Sequence, residues 1–128
     1  FHRAFDLCRD PFEAMEALKQ IPSIDRILTS GLAPSAPQGL DMIKELVAKA
    51  PEGIAIMPGA GVNSGNAAHI AATAGVKDIH ASAKTTVASE MKFRRGDVSM
   101  GAPGADEYSR LSTSEAEVKA LVAALSDI

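Results

Sequence analysis

The chain has 128 residues, 13 Lys and Arg against 16 Asp and Glu, a formal charge of −3, and 46% hydrophobic residues. That balance excludes a disordered tail, and a single cysteine excludes a disulfide scaffold. No run reaches the roughly 18 apolar residues of a membrane helix, and an acidic chain with 4 Phe, 1 Tyr and no Trp is a poor nucleic-acid binder.

The length suits one small domain. Phe1-His2-Arg3-Ala4-Phe5 reads like the end of a strand already under way. No basic and apolar leader opens the chain, and the lone thiol, Cys8, suits a reducing compartment. The expectation is therefore the C-terminal part of a longer cytoplasmic protein.

Asp10-Pro11-Phe12-Glu13 starts a helix: Asp10 caps, Pro11 takes the first helical position, and Glu13 can reach back to the cap. Phe12, Met15 and Leu18 share a face until Ile21-Pro22 stops it. Asp25-Arg26-Ile27-Leu28-Thr29 is short and rich in branched residues, which predicts a strand ending at Ser30-Gly31. A loop with Pro34 and Pro37 follows. From Gln38 to Ala50, Leu40, Ile43, Leu46 and Val47 recur at helical spacing.

Gly53 to Pro58 is nearly all apolar, as in a parallel strand covered on both faces. Gly59-Ala60-Gly61 turns the chain into an Ala-rich helix from Ser64 to Ala74, ended by Gly75. Lys77-Asp78-Ile79-His80-Ala81 predicts another strand. An irregular stretch runs from about Ser82 to Leu111. Ser112-Thr113-Ser114-Glu115 offers a capping box for a last helix, with Val118, Leu121, Val122 and Leu125 as its buried stripe.

Strands thus start near residues 1, 25, 53 and 78. Four strand–helix units imply parallel strands with helical crossovers, an α/β fold. An open four-stranded sheet would leave apolar edges exposed. The preferred closure is the C-terminal half of a TIM (β/α)8-type barrel, whose full size of about 250 residues is near twice this length. Residues 1–128 would then be a single incomplete domain, and the last two strands would be the seventh and eighth.

In such a barrel, chemistry sits at the C-terminal strand ends. Here these ends carry His2 and Arg3, Thr29-Ser30-Gly31, Pro58-Gly59-Ala60-Gly61, and His80-Ala81-Ser82. The Gly59–Gly61 turn lets backbone amides approach an anion, in the loop region where many barrels hold phosphate; the plain alternative is a tight turn. A histidine can serve as acid or base and an arginine can grip a carboxylate or phosphate, so His2, Arg3 and His80 are the catalytic candidates. The plain alternative pairs Arg3 or His2 with Asp6 or Asp25. Arg26, inside an apolar strand, implies a paired anion, a structural ion pair by default. His69 falls on the outer surface. Lys92, Arg94 and Arg95 form a basic cluster in the long irregular stretch, where Ser99-Met100-Gly101 and Tyr108 could fold over the barrel mouth. No Cys and His spacing suits zinc, and no Gly-x-Ser-x-Gly elbow marks a nucleophilic serine.

Phe1-His2-Arg3-Ala4-Phe5-Asp6, Asp25 to Gly31, Ile56-Met57-Pro58-Gly59-Ala60-Gly61, Ile79-His80-Ala81-Ser82 and Val98-Ser99-Met100-Gly101 resemble the successive motifs of the CutC family, in the same order and over essentially the whole chain. The sequence departs at Ala60, where the family usually has a third glycine. The resemblance implies a TIM-type barrel, cytosolic copper homeostasis and copper(I) binding through cysteine. Copper(I) prefers sulfur, offered here by Cys8 and five Met; no Met-x-Met or Cys-x-x-Cys pair exists, which leaves Cys8 as the metal candidate. Arg3, Asp6, Arg26, Ser30, Gly59, Gly61 and Ser82, with His2 and His80, are the expected pocket. The leading reading is copper(I) binding or trafficking. The other is a barrel enzyme acting on a small anionic or phosphorylated metabolite. Expected partners are a copper ion or small anion, and a second copy or the missing half-barrel, with neither nucleic acid nor membrane.

Overall fold

The computed structural model describes residues 1–102 and 104–126; Pro103, within the expected irregular stretch, and Asp127 and Ile128, at the end of the 1–128 span, lie outside it. The expected first strand is not formed. Arg3–Leu7 is a 3-10 turn instead, capped by His2, whose Nδ1 accepts the Ala4 N–H at 3.0 Å. That local side-chain bond diverts the backbone from a ladder. Phe1 alone stays beside the next strand, its carbonyl accepting the Leu28 N–H at 2.9 Å. Phe5, at 1% exposure, pins the turn to the core.

Helix α1, Pro11–Lys19, starts as its sequence implies, with Asp10 accepting from the Phe12 and Glu13 amides at 2.8 and 3.1 Å. Glu13 does not reach back; it pairs with Arg9 at 2.8 Å. Strands β1, Arg26–Thr29, and β2, Ala55–Pro58, are parallel and in register from Arg26 opposite Ala55 to Thr29 opposite Pro58. Between them runs α2, Leu40–Lys49, whose Ile43 and Leu46 are fully buried. Helix α3, Ala67–Ala74, ends at Gly75, which takes the left-handed conformation a helix stop favours.

Lys77–Ala81 does not form the expected strand. It meets β2 through one backbone bond, from the His80 N–H to the Pro58 carbonyl at 2.9 Å. The described sheet therefore has two parallel strands, not four. The segments flanking it touch β1 and β2 but, among the described residues, have no further strand beside them to complete a ladder, and parallel strands depend on such cover.

The stretch from Ser82 to Leu111 is also more regular than its sequence suggests. Strands β3, Lys84–Ala88, and β4, Ser109–Thr113, pair antiparallel, Lys84 opposite Thr113 and Ala88 opposite Ser109. Both are largely exposed, so they lack the apolar alternation that marks a half-buried strand. Helix α4, Glu115–Leu125, is capped by Ser114, which accepts the Glu117 N–H at 3.3 Å. The Glu117 carboxylate crosses to the Ser64 amide and hydroxyl at 2.8 and 3.1 Å, tying α4 to the start of α3. The core joins Ile27 and Ile56 of the strands to Met15, Ile43, Leu46, Ile70 and Leu121 of the helices.

Candidate functional site

The C-terminal ends of β1 and β2 carry two polar groupings. The first is centred on Asp6, whose side chain is 7% exposed. Its carboxylate accepts from Arg3 Nε at 2.7 Å, Thr29 Oγ1 at 2.5 Å, Ser30 Oγ at 2.9 Å and the Ser30 amide at 3.1 Å. The Leu32 amide adds a longer bond at 3.3 Å. Burial alone would push this carboxyl up; the bonds from Thr29, Arg3 and Ser30 outweigh it and hold Asp6 below its ordinary value. Asp6 is thus an ionised, fully engaged hub. Its lone pairs are committed to holding the turn after β1, which leaves it unsuited to proton transfer.

Arg3 is held from two sides, by Asp6 and by Ser30 Oγ, which accepts from Nη2 at 2.6 Å. Its side chain remains 40% exposed. Arg3 is thus paired with Asp6, as the plain alternative has it, and part of its side chain stays accessible. Thr29 and the Leu32 backbone belong to this network and were not among the expected site residues. The signal for Thr29 was its place in Thr29-Ser30-Gly31 at a strand end.

The loop after β1 joins this hub to the second grouping. Gly31 and Gly39 pack backbone on backbone: a Cβ on Gly39 would lie 2.0 Å from the Ser30 carbonyl oxygen. Further along, the Ala36 N–H donates to the Ala60 carbonyl at 2.9 Å, and Gly61 sits against Ser35. Ala60, Gly61, Val62, His80, Ala81 and Ser82 line a cleft of about 100 Å³. His80 packs over Gly59, where a Cβ would come within 3.3 Å of the imidazole. The turn survives Ala60 at φ +74°, a left-handed conformation that glycine adopts without strain.

Other candidates lie elsewhere. Arg26 opens β1 at the end opposite Ser30 and pairs with Asp78 at 3.2 Å, the structural ion pair its sequence context implied, away from the Asp6 grouping and the expected pocket. His2 is exposed, stacks on Phe1 and caps the 3-10 turn. His69 is exposed on α3, within 3.4 Å of Thr73. In the β3–β4 loop, Arg95 pairs with Asp97 and Arg94 stacks over Tyr108. There Glu107 organises the turn at Ser99, Met100 and Gly101.

Cys8 is half-buried; burial pushes its thiol above the ordinary value, and the Asp10 and Asp6 carboxylates act in the same direction. Among the described residues no three His, Cys, Asp or Glu stand together to hold a metal ion. Met15 is core filling, and Met91 and Met100 are exposed in the β3–β4 loop. These residues by themselves do not fit a copper site, because copper(I) needs several soft donors converging on one point. No described helix is long and apolar enough to cross a membrane.

The model of the CutC family matches residues 1–85. A CutC family protein of Chromobacterium violaceum is 49% identical over 98% of this chain and 50% of its own length. One from Vibrio vulnificus is 47% identical over 100% of this chain and 51% of its own. A crystal structure from Streptococcus agalactiae, of a CutC protein named for copper homeostasis, matches with a TM-score of 0.58 at 33% identity, over 62% of this chain and 40% of that one. The chain spans about half the length of the curated relatives it matches. Matched by the family model over most of its length and by these relatives over nearly all of it, the chain belongs to the CutC family.

Proposed function

We propose that the full-length protein serves copper homeostasis in the cytoplasm, binding or passing on copper(I) as its cargo. The observation that carries this reading is the 49% identity to a CutC protein across 98% of the chain. This chain would form one side of a TIM-type barrel. The parallel β1–β2 pair with α2 crossing between its strands supports that, as does the grouping of polar residues at their C-terminal ends. The other side would come from the remaining length seen in the relatives, or from a second copy.

In this reading His2, Arg3, Asp6, Ser30, Gly59, Gly61, His80 and Ser82 belong to the rim of the barrel mouth. Cys8 is the soft donor this chain offers, and its co-ligands come from outside these 128 residues. The test is a copper(I) titration of the full-length protein against a competing chelator. Binding that weakens by about tenfold in Cys8→Ser is the expected result. A full-length protein that takes no copper(I) from the chelator overturns the reading.

A further inference from the structure

We propose that the cleft between residues 60–62 and 80–82 binds a tetrahedral oxyanion, phosphate or the phosphoryl end of a small metabolite. The cleft's backbone is unevenly committed. The carbonyl of Ala60 accepts from the Ala36 amide at 2.9 Å, and that of Gly61 from Asn66 Nδ2 at 2.9 Å. The amides of Ala60, Gly61, Val62, Ala81 and Ser82 donate to no protein acceptor among the described residues. The residues lining the cleft therefore carry amides without a protein acceptor, while the two carbonyls of its glycine turn are already used.

Backbone N–H groups need acceptors, from water or from a ligand where the protein supplies none. An oxyanion offers several acceptors at one point. The lining adds the His80 ring and the Ser82 hydroxyl, and contains no carboxylate to repel an anion. Its volume of about 100 Å³ suits one tetrahedral group and not a whole metabolite. In the barrel reading these are the loops after strands seven and eight, where barrels commonly hold phosphate. The inference does not depend on copper: it assigns a separate ligand of a different chemical class to these residues.

The experiment is amide NMR of the full-length protein titrated with inorganic phosphate and, separately, with glycerol phosphate, each against sodium chloride at matched ionic strength. Saturable shifts at Gly61, Val62 and Ser82 are expected. Ser82→Glu places a carboxylate at the mouth and should weaken binding by about tenfold or more. Ser82→Ala, the milder change, should weaken it by about two- to threefold. Tighter binding of the monoester assigns the site to a phosphorylated metabolite, and equal binding assigns it to free phosphate. Shifts that chloride reproduces, shifts centred on Lys92 to Arg95, or full affinity in Ser82→Glu would overturn the proposal. Copper(I) titration of the same protein reads the other proposal separately, so either can fail alone.

Discussion

Ser30 meets Asp6 through its amide, 3.1 Å from both carboxylate oxygens, and its hydroxyl sits between Asp6 Oδ2 at 2.9 Å and the Ala33 carbonyl at 2.5 Å, sharing one proton. The pair joins residues 24 positions apart and fixes the N-terminal turn to the end of β1. Asp6→Ala leaves the Ser30 and Leu32 amides, Thr29 and Arg3 without their shared acceptor. The expected loss is about 2–4 kcal/mol, the range for breaking a mostly buried charged network. Urea unfolding of the full-length protein, wild type against variant, measures it.

The same network sets a pH dependence. The folded-state value of Asp6 lies below its ordinary one, so the folded protein binds this proton less readily than the unfolded chain. Its contribution is complete above the unfolded value of about 3.9 and is lost as pH falls through the lower folded value. Melting curves from pH 7 downward should therefore show a gap between wild type and Asp6→Asn that is constant to about pH 5 and closes below about pH 4. A gap that stays constant to pH 2.5 would contradict the assignment.

Two small residues in the loops after β1 and β2 should respond in opposite directions. Ala60 sits at φ +74°. Relief of left-handed strain of about 1–2 kcal/mol, less the entropy glycine adds to the unfolded chain, predicts that Ala60→Gly stabilises by about 0.5–1 kcal/mol. Gly39→Ala drives a Cβ to 2.0 Å from the Ser30 carbonyl oxygen, a backbone atom that cannot step aside. A loss of about 3 kcal/mol or more is expected, together with disruption of the Asp6 network beside it. Thermal melts of the two variants check the sign and the size.

Arg26 and Arg3 both pair with aspartates, yet they should behave differently. The Arg26–Asp78 pair spans 3.2 Å with 46% and 35% of the two side chains exposed, so solvent screens it. Arg26→Ala should cost no more than about 1 kcal/mol and leave phosphate-dependent shifts at Gly61 and Ser82 unchanged. Arg3→Ala removes a partly exposed cation and two bonds to the Asp6–Ser30 hub, and should cost about 1–3 kcal/mol. Equal losses in the two variants would show that the hub confers nothing beyond a surface ion pair.

Cys8 should be a sluggish nucleophile. Burial first, then the Asp10 and Asp6 carboxylates, raise its thiol above the ordinary value, so the reactive thiolate is scarce at neutral pH. Iodoacetamide alkylation should run several times slower than for a free thiol at pH 8, with its inflection above that of a free thiol. Asp10→Asn should lower that inflection and Arg9→Gln should not.

Helix starts and stops were legible because their causes are local. Asp10 caps α1, Ser114 caps α4, and Gly75 ends α3, each within a few residues of the chain it controls. The parallel strands β1 and β2 were legible from their apolar runs. The first strand was misread because Phe1 to Phe5 have strand-like residue types, while the decisive interaction is the His2 imidazole bonding the Ala4 amide. The β3–β4 hairpin was missed because an exposed pair of strands carries no hydrophobic period to read.

Residue chemistry and order along the chain point to Arg3, Ser30, Gly59, Gly61, His80 and Ser82 as expected strand ends and turns, because such signals are written in local sequence; Asp6 joins them through the family resemblance. Only the tertiary structure separated them into an Asp6-centred hub and a cleft between residues 60–62 and 80–82, and paired Arg26 with Asp78 at the far end of its strand. Hydrogen bonds between residues more than twenty positions apart depend on how the backbone packs, and no spacing within a segment encodes which distant donor will arrive.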